Sequence, residues 1–204
     1  MLNTSRKRNI AVLVSGGGTN LQALLDAQAD GRLDAGRIVV VVSDTAGAFA
    51  LVRAKQAGVE AVAVAKRDYG TKAEFERELK RVLAERNTDV IVLAGFLSIL
   101  SADFIRAYPR RIVNVHPSLI PSFCGKGFYG LKVHEAALEK GVKVSGATVH
   151  FVNEIPDGGE IILQKAVDVL DDDTPQSLQE RIMREAEWQL LWRAAEKVCR
   201  ELND

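Results

Sequence analysis

The sequence predicts an α/β protein: a Rossmann-like, mostly parallel twisted sheet with helices on both faces and an antiparallel hairpin near the C-terminus. Three observations predict it. Short β-rich runs alternate with stretches of helical spacing through the first half of the chain. Those runs are apolar on both faces, as strands covered by helices on both sides must be. Near the end, two strand-like runs are joined only by "NEIPDGG", too short for a crossover and suited to a hairpin.

The elements follow in order. "NIAVLVS" (9–15) is the first strand, ended by "GGG", and residues 19–31 carry Leu21, Leu24, Leu25 and Ala27 at helical spacing. "RIVVVVSD" (37–44) is a second buried strand, and "AFALVRAKQAG" (48–58) is a helix stopped by a glycine suited to a C-cap. "VEAVAV" (59–64) is a third strand, residues 71–86 a charged amphipathic helix, and "DVIVLAGF" (89–96) a fourth strand. "SADFIRAYP" (101–109) is a short helix with a serine N-cap. A fifth strand, Ile112 to Val115, carries Asn114 in its middle and ends on His116. Residues 122–138 read as a long loop rich in glycine. "KVSGATVHFV" (143–152) and "EIILQKAVDV" (160–169) form the hairpin. Residues 175–200 read as one long helix, with Thr174 as N-cap and Pro175 at its first position.

With 204 residues and no linker, repeat or low-complexity tract, the chain reads as one domain over residues 1–204, with a flexible polar tail over residues 1–8. The 27 basic residues balance 27 acidic ones, which removes any global electrostatic reason to bind nucleic acid or an anionic membrane. No apolar run approaches the roughly 18 residues of a membrane span. Cys124 and Cys199 are far apart, without metal-ligand spacing, so no disulfide scaffold and no metal are expected. The expectation is a cytoplasmic protein, monomer or homodimer.

Ligands of such sheets bind at the C-terminal ends of the strands, where the strand order reverses. Two features sit there. "VSGGGTNLQ" (14–22) would present the N–H groups of Gly17, Gly18, Thr19 and Asn20 at a helix N-terminus, which favours an anion such as phosphate. A tight turn needing positive φ would use glycine too. No lysine follows the glycines as in a P-loop, and Leu21 stands where the dinucleotide fingerprint needs a third glycine. Gly16, Gly18 and Asp44 still keep a nicotinamide-dependent oxidoreductase open as an alternative.

The second feature is Asn114 and His116. Two residues apart on a strand, they point to one side at its C-terminal end. A hydrogen-bonded pair holding the next loop is the bland reading. Asp157 lies in the hairpin turn, where an aspartate also serves the turn itself. Beside His116, its charge would favour imidazolium. Amide, imidazolium and carboxylate together suit acyl-type chemistry: the first two hold a developing oxyanion, and the third relays a proton. Nothing marks Cys124 as a nucleophile. His134 and His150 read mainly as structural, with a place bordering the site left open to either, and Lys126 reads as a solvated loop charge.

"VLVSGGGTNLQALL", "VIVLAGFLSIL", "NVHPSLIPSF" and "VSGATVHFVNEIPDGGEIILQ" resemble, in order, the folate-dependent formyltransferase family, and within it the enzymes acting on glycinamide ribonucleotide. The resemblance runs from about Asn9 to the last helix. It implies formyl transfer from 10-formyltetrahydrofolate to the amine of N1-(5-phospho-D-ribosyl)glycinamide in purine synthesis. It also leaves open a formyltransferase acting on another amine. By this resemblance Asn114, His116 and Asp157 are catalytic, and Gly17, Gly18, Thr19 and Asn20 bind the ribonucleotide phosphate. Glu187 contacts the substrate amine. Leu97, Ser98, Ile99 and Leu100 line the folate pterin pocket with Asn114, and Lys72 lies near the folate. The chain departs from the family pattern at Ser98, where some members have arginine, and at Trp188, where histidine is common.

Overall fold

The computed structural model describes residues 6–202. Its centre is a seven-stranded sheet: β1 (Arg8–Val14), β2 (Gly36–Ser43), β3 (Glu60–Ala63), β4 (Val90–Leu93), β5 (Ile112–His116), β6 (Val144–Phe151) and β7 (Ile161–Asp168), in the order β3-β2-β1-β4-β5-β6-β7. The first five strands are parallel, and β6 runs antiparallel to both β5 and β7. The predicted mixed sheet is therefore the observed one. β1 opens at Arg8; of the tail expected over residues 1–8, residues 1–5 lie outside the described residues.

Alternation along β1 splits the core. Ile10, Val12 and Val14 face one layer with α1 (Thr19–Ala29), α2 (Phe49–Gln56) and the C-terminal helices. Ala11 and Leu13 face the other layer, with Phe75, Leu79 and Leu83 of α3 (Lys72–Glu85) and Phe104 of α4 (Ala102–Arg106). Each such leucine, isoleucine or phenylalanine, withdrawn from water, contributes about 1.5–3 kcal/mol. The helix starts follow their capping residues. Thr71 accepts from the Glu74 N–H while Glu74 reaches back to the Thr71 N–H, and Ser101 accepts from the Phe104 N–H.

Two helical features depart from the sequence reading. Part of the expected loop 122–138 is helix α5 (Leu131–Lys140), entered after Gly130 and closed by Gly141 in the left-handed conformation, φ 72°. Val133 and Ala137, four apart and buried, are the apolar stripe that its many glycine neighbours obscure. The long C-terminal helix is also divided. It consists of α6 (Pro175–Ile182), a π-helical turn over Met183–Glu187, and α7 (Trp188–Glu201). The Thr174 cap and Pro175 at the first position stand as predicted.

From β1 the chain steps outward through β2 to β3, and the crossover from β3 then returns past β1 to β4 on its other side. The strand-order reversal therefore lies between β1 and β4. There the Ser15 N–H donates to the Gly95 carbonyl at 3.1 Å, and the Leu97 N–H to Ser15 Oγ at 2.8 Å. The glycine loop and the segment after β4 are thus tied together at the rim.

Candidate active site

At this rim the β5–β6 register brings four polar side chains together. Asn114 lies opposite His150, and His116 opposite Thr148. The hairpin turn carries Asp157 back over them, with a positive φ of 54° that aspartate tolerates better than most residues. Asp157 Oδ2 lies 3.5 Å from His116 Nδ1, and Oδ1 lies 3.5 Å from His150 Nε2. The Gly125 N–H donates to Oδ2 at 2.8 Å, so the long loop braces the carboxylate.

Donor and acceptor chemistry assigns the ring nitrogens. His116 Nε2 lies 2.8 Å from the Phe123 carbonyl, which can only accept, so Nε2 carries a proton. Nδ1 is then the nitrogen left to act, and it can donate toward Asp157 only when the ring is cationic. His150 Nδ1 lies 2.9 Å from the Phe151 carbonyl and is protonated by the same logic. In the neutral ring Nε2 is an acceptor, and it takes an N–H of Asn114 at 3.2 Å. That fixes the amide plane of Asn114 and leaves its second N–H free. His150, assigned mainly a structural part from the sequence, is therefore a member of the cluster. Its place follows from the register of β6 on β5, where it is the cross-strand partner of Asn114.

Burial alone would raise the Asp157 carboxyl. The contact with His150, the Gly125 N–H and the nearby imidazoles outweigh it, and the carboxyl is held below its ordinary value of 3.8. His134, on α5, is fully buried with neither ring nitrogen partnered among the described residues. Burial, with the neighbouring His116, lowers it to about 4. Burial and the charge of Asp157 raise the Cys124 thiol, whose Sγ donates to the Pro121 carbonyl at 3.3 Å; nothing makes it a nucleophile.

A cleft of about 150 Å³ opens onto this cluster, lined by Leu97, Ser98, Ile99 and Leu100 together with Asn114, His150 and Asp157. Leu97, Ile99 and Ile155 leave 69%, 72% and 66% of their surface exposed, an apolar rim suited to a flat ring. Ser98 turns away from a free role, donating to Asp44 Oδ2 at 2.7 Å. Lys72 stands outside the cleft lining, 3.8 Å from Glu76 on its own helix.

The glycine loop lies at the same rim. Gly18 caps α1 at φ 74°, and a Cβ there would stand 2.7 Å from Ala50 Cβ. Glycine is thus required twice at this position, by conformation and by packing. Asn20 is buried and donates to Glu187 Oε2 at 2.7 Å. The π-helical turn inserts an extra residue into the helical register and ends on Glu187, which is buried at this contact. Burial drives the Glu187 carboxyl up to about 7, against the opposing hydrogen bond from Asn20.

Fold and cleft define a doubly wound α/β protein with a polar-floored cleft beyond the C-terminal ends of β4 and β5. Residues 8–195 match the family model described as formyl transferase, and the chain belongs to that family. It is 44% identical over 189 residues to the trifunctional purine biosynthetic protein adenosine-3 of Drosophila melanogaster, covering 92% of this chain but only 14% of that protein. It is 38% identical over 198 residues to the chloroplastic phosphoribosylglycinamide formyltransferase of Arabidopsis thaliana, covering 96% of this chain and 67% of that one. The crystal structure of glycinamide ribonucleotide transformylase 1 from Symbiobacterium toebii superposes with a TM-score of 0.89 at 42% identity, over 95% of this chain and 88% of that one. Family membership sets aside the oxidoreductase alternative. Among the described residues no helix is long and apolar enough to cross a membrane.

Proposed function

We propose that this chain, as a single catalytic domain, transfers the formyl group of 10-formyltetrahydrofolate to the amine of N1-(5-phospho-D-ribosyl)glycinamide, in purine biosynthesis. The observation that carries the reading is the convergence of Asn114, His116 Nδ1 and Asp157 beside the apolar-rimmed cleft. Relatives named for this reaction support the choice of substrates.

The chemistry follows from the groups present. The neutral amine attacks the formyl carbon, and negative charge develops on the formyl oxygen. The free N–H of Asn114 and the Nδ1–H of His116 stabilise that oxyanion, which strengthens both hydrogen bonds in the transition state. Asp157, ionised and braced by Gly125, sets its charge 3.5 Å from His116 Nδ1, the nitrogen that must donate here. The attacking nitrogen loses a proton, through water to Asp157, and the folate nitrogen gains one from His116 as tetrahydrofolate leaves. Leu97–Leu100 hold the pterin, with Lys72 near the folate. The N–H groups of Gly17, Gly18, Thr19 and Asn20 hold the phosphate, and Glu187 receives the substrate amine. Beyond Gly17 and its two chain neighbours, no atom of the described residues lies within 4 Å of a Cβ built at Gly17, so a phosphate has room to approach the backbone there. Cys124 and Cys199, both free thiols, support a reducing, cytoplasmic setting.

The test mixes the protein with glycinamide ribonucleotide and 10-formyl folate and follows deformylation by absorbance. Steady turnover that requires the ribonucleotide is expected. Turnover with a different amine, and none with this one, overturns the substrate assignment.

A further inference from the structure

Helix α2 holds the glycine loop through its backbone and one side chain. The Ala50 N–H donates to the Gly16 carbonyl at 3.0 Å, and Arg53 Nε–H donates to the Gly17 carbonyl at 2.9 Å. In a planar trans peptide the C=O and the following N–H point in opposite directions. Drawing the Gly16 and Gly17 carbonyls toward α2 therefore turns the Gly17 and Gly18 N–H groups away from it. Neither of these, nor the N–H of Thr19 or Asn20, has a partner among the described residues. The carbonyl that Arg53 holds is the one that fixes the direction of the Gly18 N–H.

The guanidinium does more than staple. Its Nη1 donates to Gln22 Oε1 at 3.0 Å, and its carbon lies 5.1 Å from the Phe49 ring centroid. These acceptors are neutral. Asp26, across the same groove, accepts from Gln22 Nε2 at 2.9 Å, and among the described residues Arg53 forms no ion pair. The groove, about 180 Å³, is lined by Thr19, Gln22, Asp26, Arg53 and Trp188 with Ala23. The indole N–H of Trp188 is buried and unpartnered. A half-buried cation whose hydrogen-bond acceptors are neutral, beside four N–H groups without partners among the described residues, places positive charge at this loop, with the single carboxylate of Asp26 on the far side of the groove. Within a Debye length such a charge favours a dianion over a neutral ligand.

We propose that Arg53 is a positioning residue for the phosphate of the ribonucleotide: it sets the peptide planes of the glycine loop and places a positive charge beside it. This rests on the reading of the loop as the phosphate site. The competing role is purely structural, a tie between α1 and α2. The two differ in what they move. A tie affects stability and both substrates alike; a phosphate-positioning cation affects the ribonucleotide alone.

The experiment compares wild type, Arg53→Ala, Arg53→Gln and Arg53→Lys in steady-state kinetics, thermal melting and direct titration with inorganic phosphate. Losing a charged hydrogen bond, Arg53→Ala should raise the ribonucleotide KM about tenfold or more. Its kcat and its KM for the formyl folate should stay within about threefold. Arg53→Lys, which keeps the charge but not the planar fork, should recover part of that KM, and Arg53→Gln none of it. Phosphate binding should weaken in the same order. An unchanged ribonucleotide KM in a folded Arg53→Ala overturns the proposal. So does an equal rise in both KM values that tracks the melting temperature and is not relieved by lysine. If Arg53→Ala does not fold, the Lys and Gln variants carry the same comparison. Phosphate titration separates this inference from the assigned reaction: wild type inert toward the ribonucleotide, with phosphate binding still lost in the variants, sinks the substrate and leaves Arg53 in place.

Discussion

His150 stands directly across the β5–β6 ladder from Asn114, with its Nε2 3.2 Å from the Asn114 amide nitrogen. Its own Nδ1 is tied to the Phe151 carbonyl, so the ring cannot turn without losing that bond. The amide of Asn114 is therefore aimed by a histidine that is itself fixed by backbone. His150→Phe keeps a ring of similar size but removes both nitrogens. Leaving the Asn114 N–H unpaired and free to rotate should lower kcat about ten- to hundredfold. The ribonucleotide KM should hardly change. A large rise in that KM with normal kcat contradicts the aiming role.

Asp157 faces both imidazoles, and its carboxyl is held below the ordinary value of 3.8. It is therefore ionised throughout the neutral range. Asp157→Asn should lower kcat about 10²- to 10⁴-fold. His116→Ala should lose turnover on the same scale, with ribonucleotide affinity much less affected. The depressed carboxyl also stabilises the fold above the ordinary carboxylate range, and that contribution is lost as pH falls through the lowered folded value. Urea midpoints for wild type should thus fall more steeply below about pH 4 than those of Asp157→Asn. Parallel acid profiles for the two proteins reject the depressed carboxyl.

Much of this site is legible in the sequence because its physical causes are local. Asn114 and His116 share a face by strand periodicity alone, and Asp157 announces itself by the turn it makes with two glycines. Strands apolar on both faces, alternating with helices, give the mostly parallel sheet. What escapes is non-local. His150 enters the site only through the register of β6 on β5, which a single sequence does not state. Helix α5 was hidden because Gly125, Gly127 and Gly130 crowd its start and leave only a short stripe, Val133 and Ala137. The π-helical turn at Met183–Glu187 breaks a period that the sequence continues unbroken, so the inward aim of Glu187 shows only in three dimensions.

Gly18 is where conformation and packing agree most tightly. Its φ is 74°, and an added Cβ would stand 2.7 Å from Ala50 Cβ and 2.9 Å from Ala50 Cα, atoms that belong to a packed helix and cannot swing aside. Gly18→Ala should destabilise the protein by about 1–3 kcal/mol through strain alone, with the clash adding to it. It should also raise the ribonucleotide KM, because the loop cannot keep its N–H groups in line. Urea unfolding and steady-state kinetics check the two parts separately. Unaltered stability removes the packing argument.

Glu187 gives a stability prediction of the opposite sign to Asp157. Its carboxyl is pushed up to about 7, from an ordinary 4.5, chiefly because it is buried against Asn20. A carboxyl whose pKa is higher in the folded state binds its proton more tightly there than in the unfolded chain. Its contribution is full below the ordinary carboxylate range and is lost as pH rises from about 4.5 through about 7. The size is about 3 kcal/mol, from roughly 1.4 kcal/mol per unit. Glu187→Gln keeps the shape and can still accept from Asn20, but it cannot ionise. Urea unfolding at pH 5 and pH 7.5, conditions set about the pKa window, should show wild type losing stability that the variant keeps. On the proposed role of Glu187 at the substrate amine, the same variant should bind the ribonucleotide more weakly above about pH 7, where only wild type carries a carboxylate there. If wild type and Glu187→Gln share one pH–stability slope, the buried carboxyl ionises without cost, and the raised value is wrong. If the slopes differ but ribonucleotide binding does not, Glu187 serves only to hold Asn20, and the substrate amine is received elsewhere.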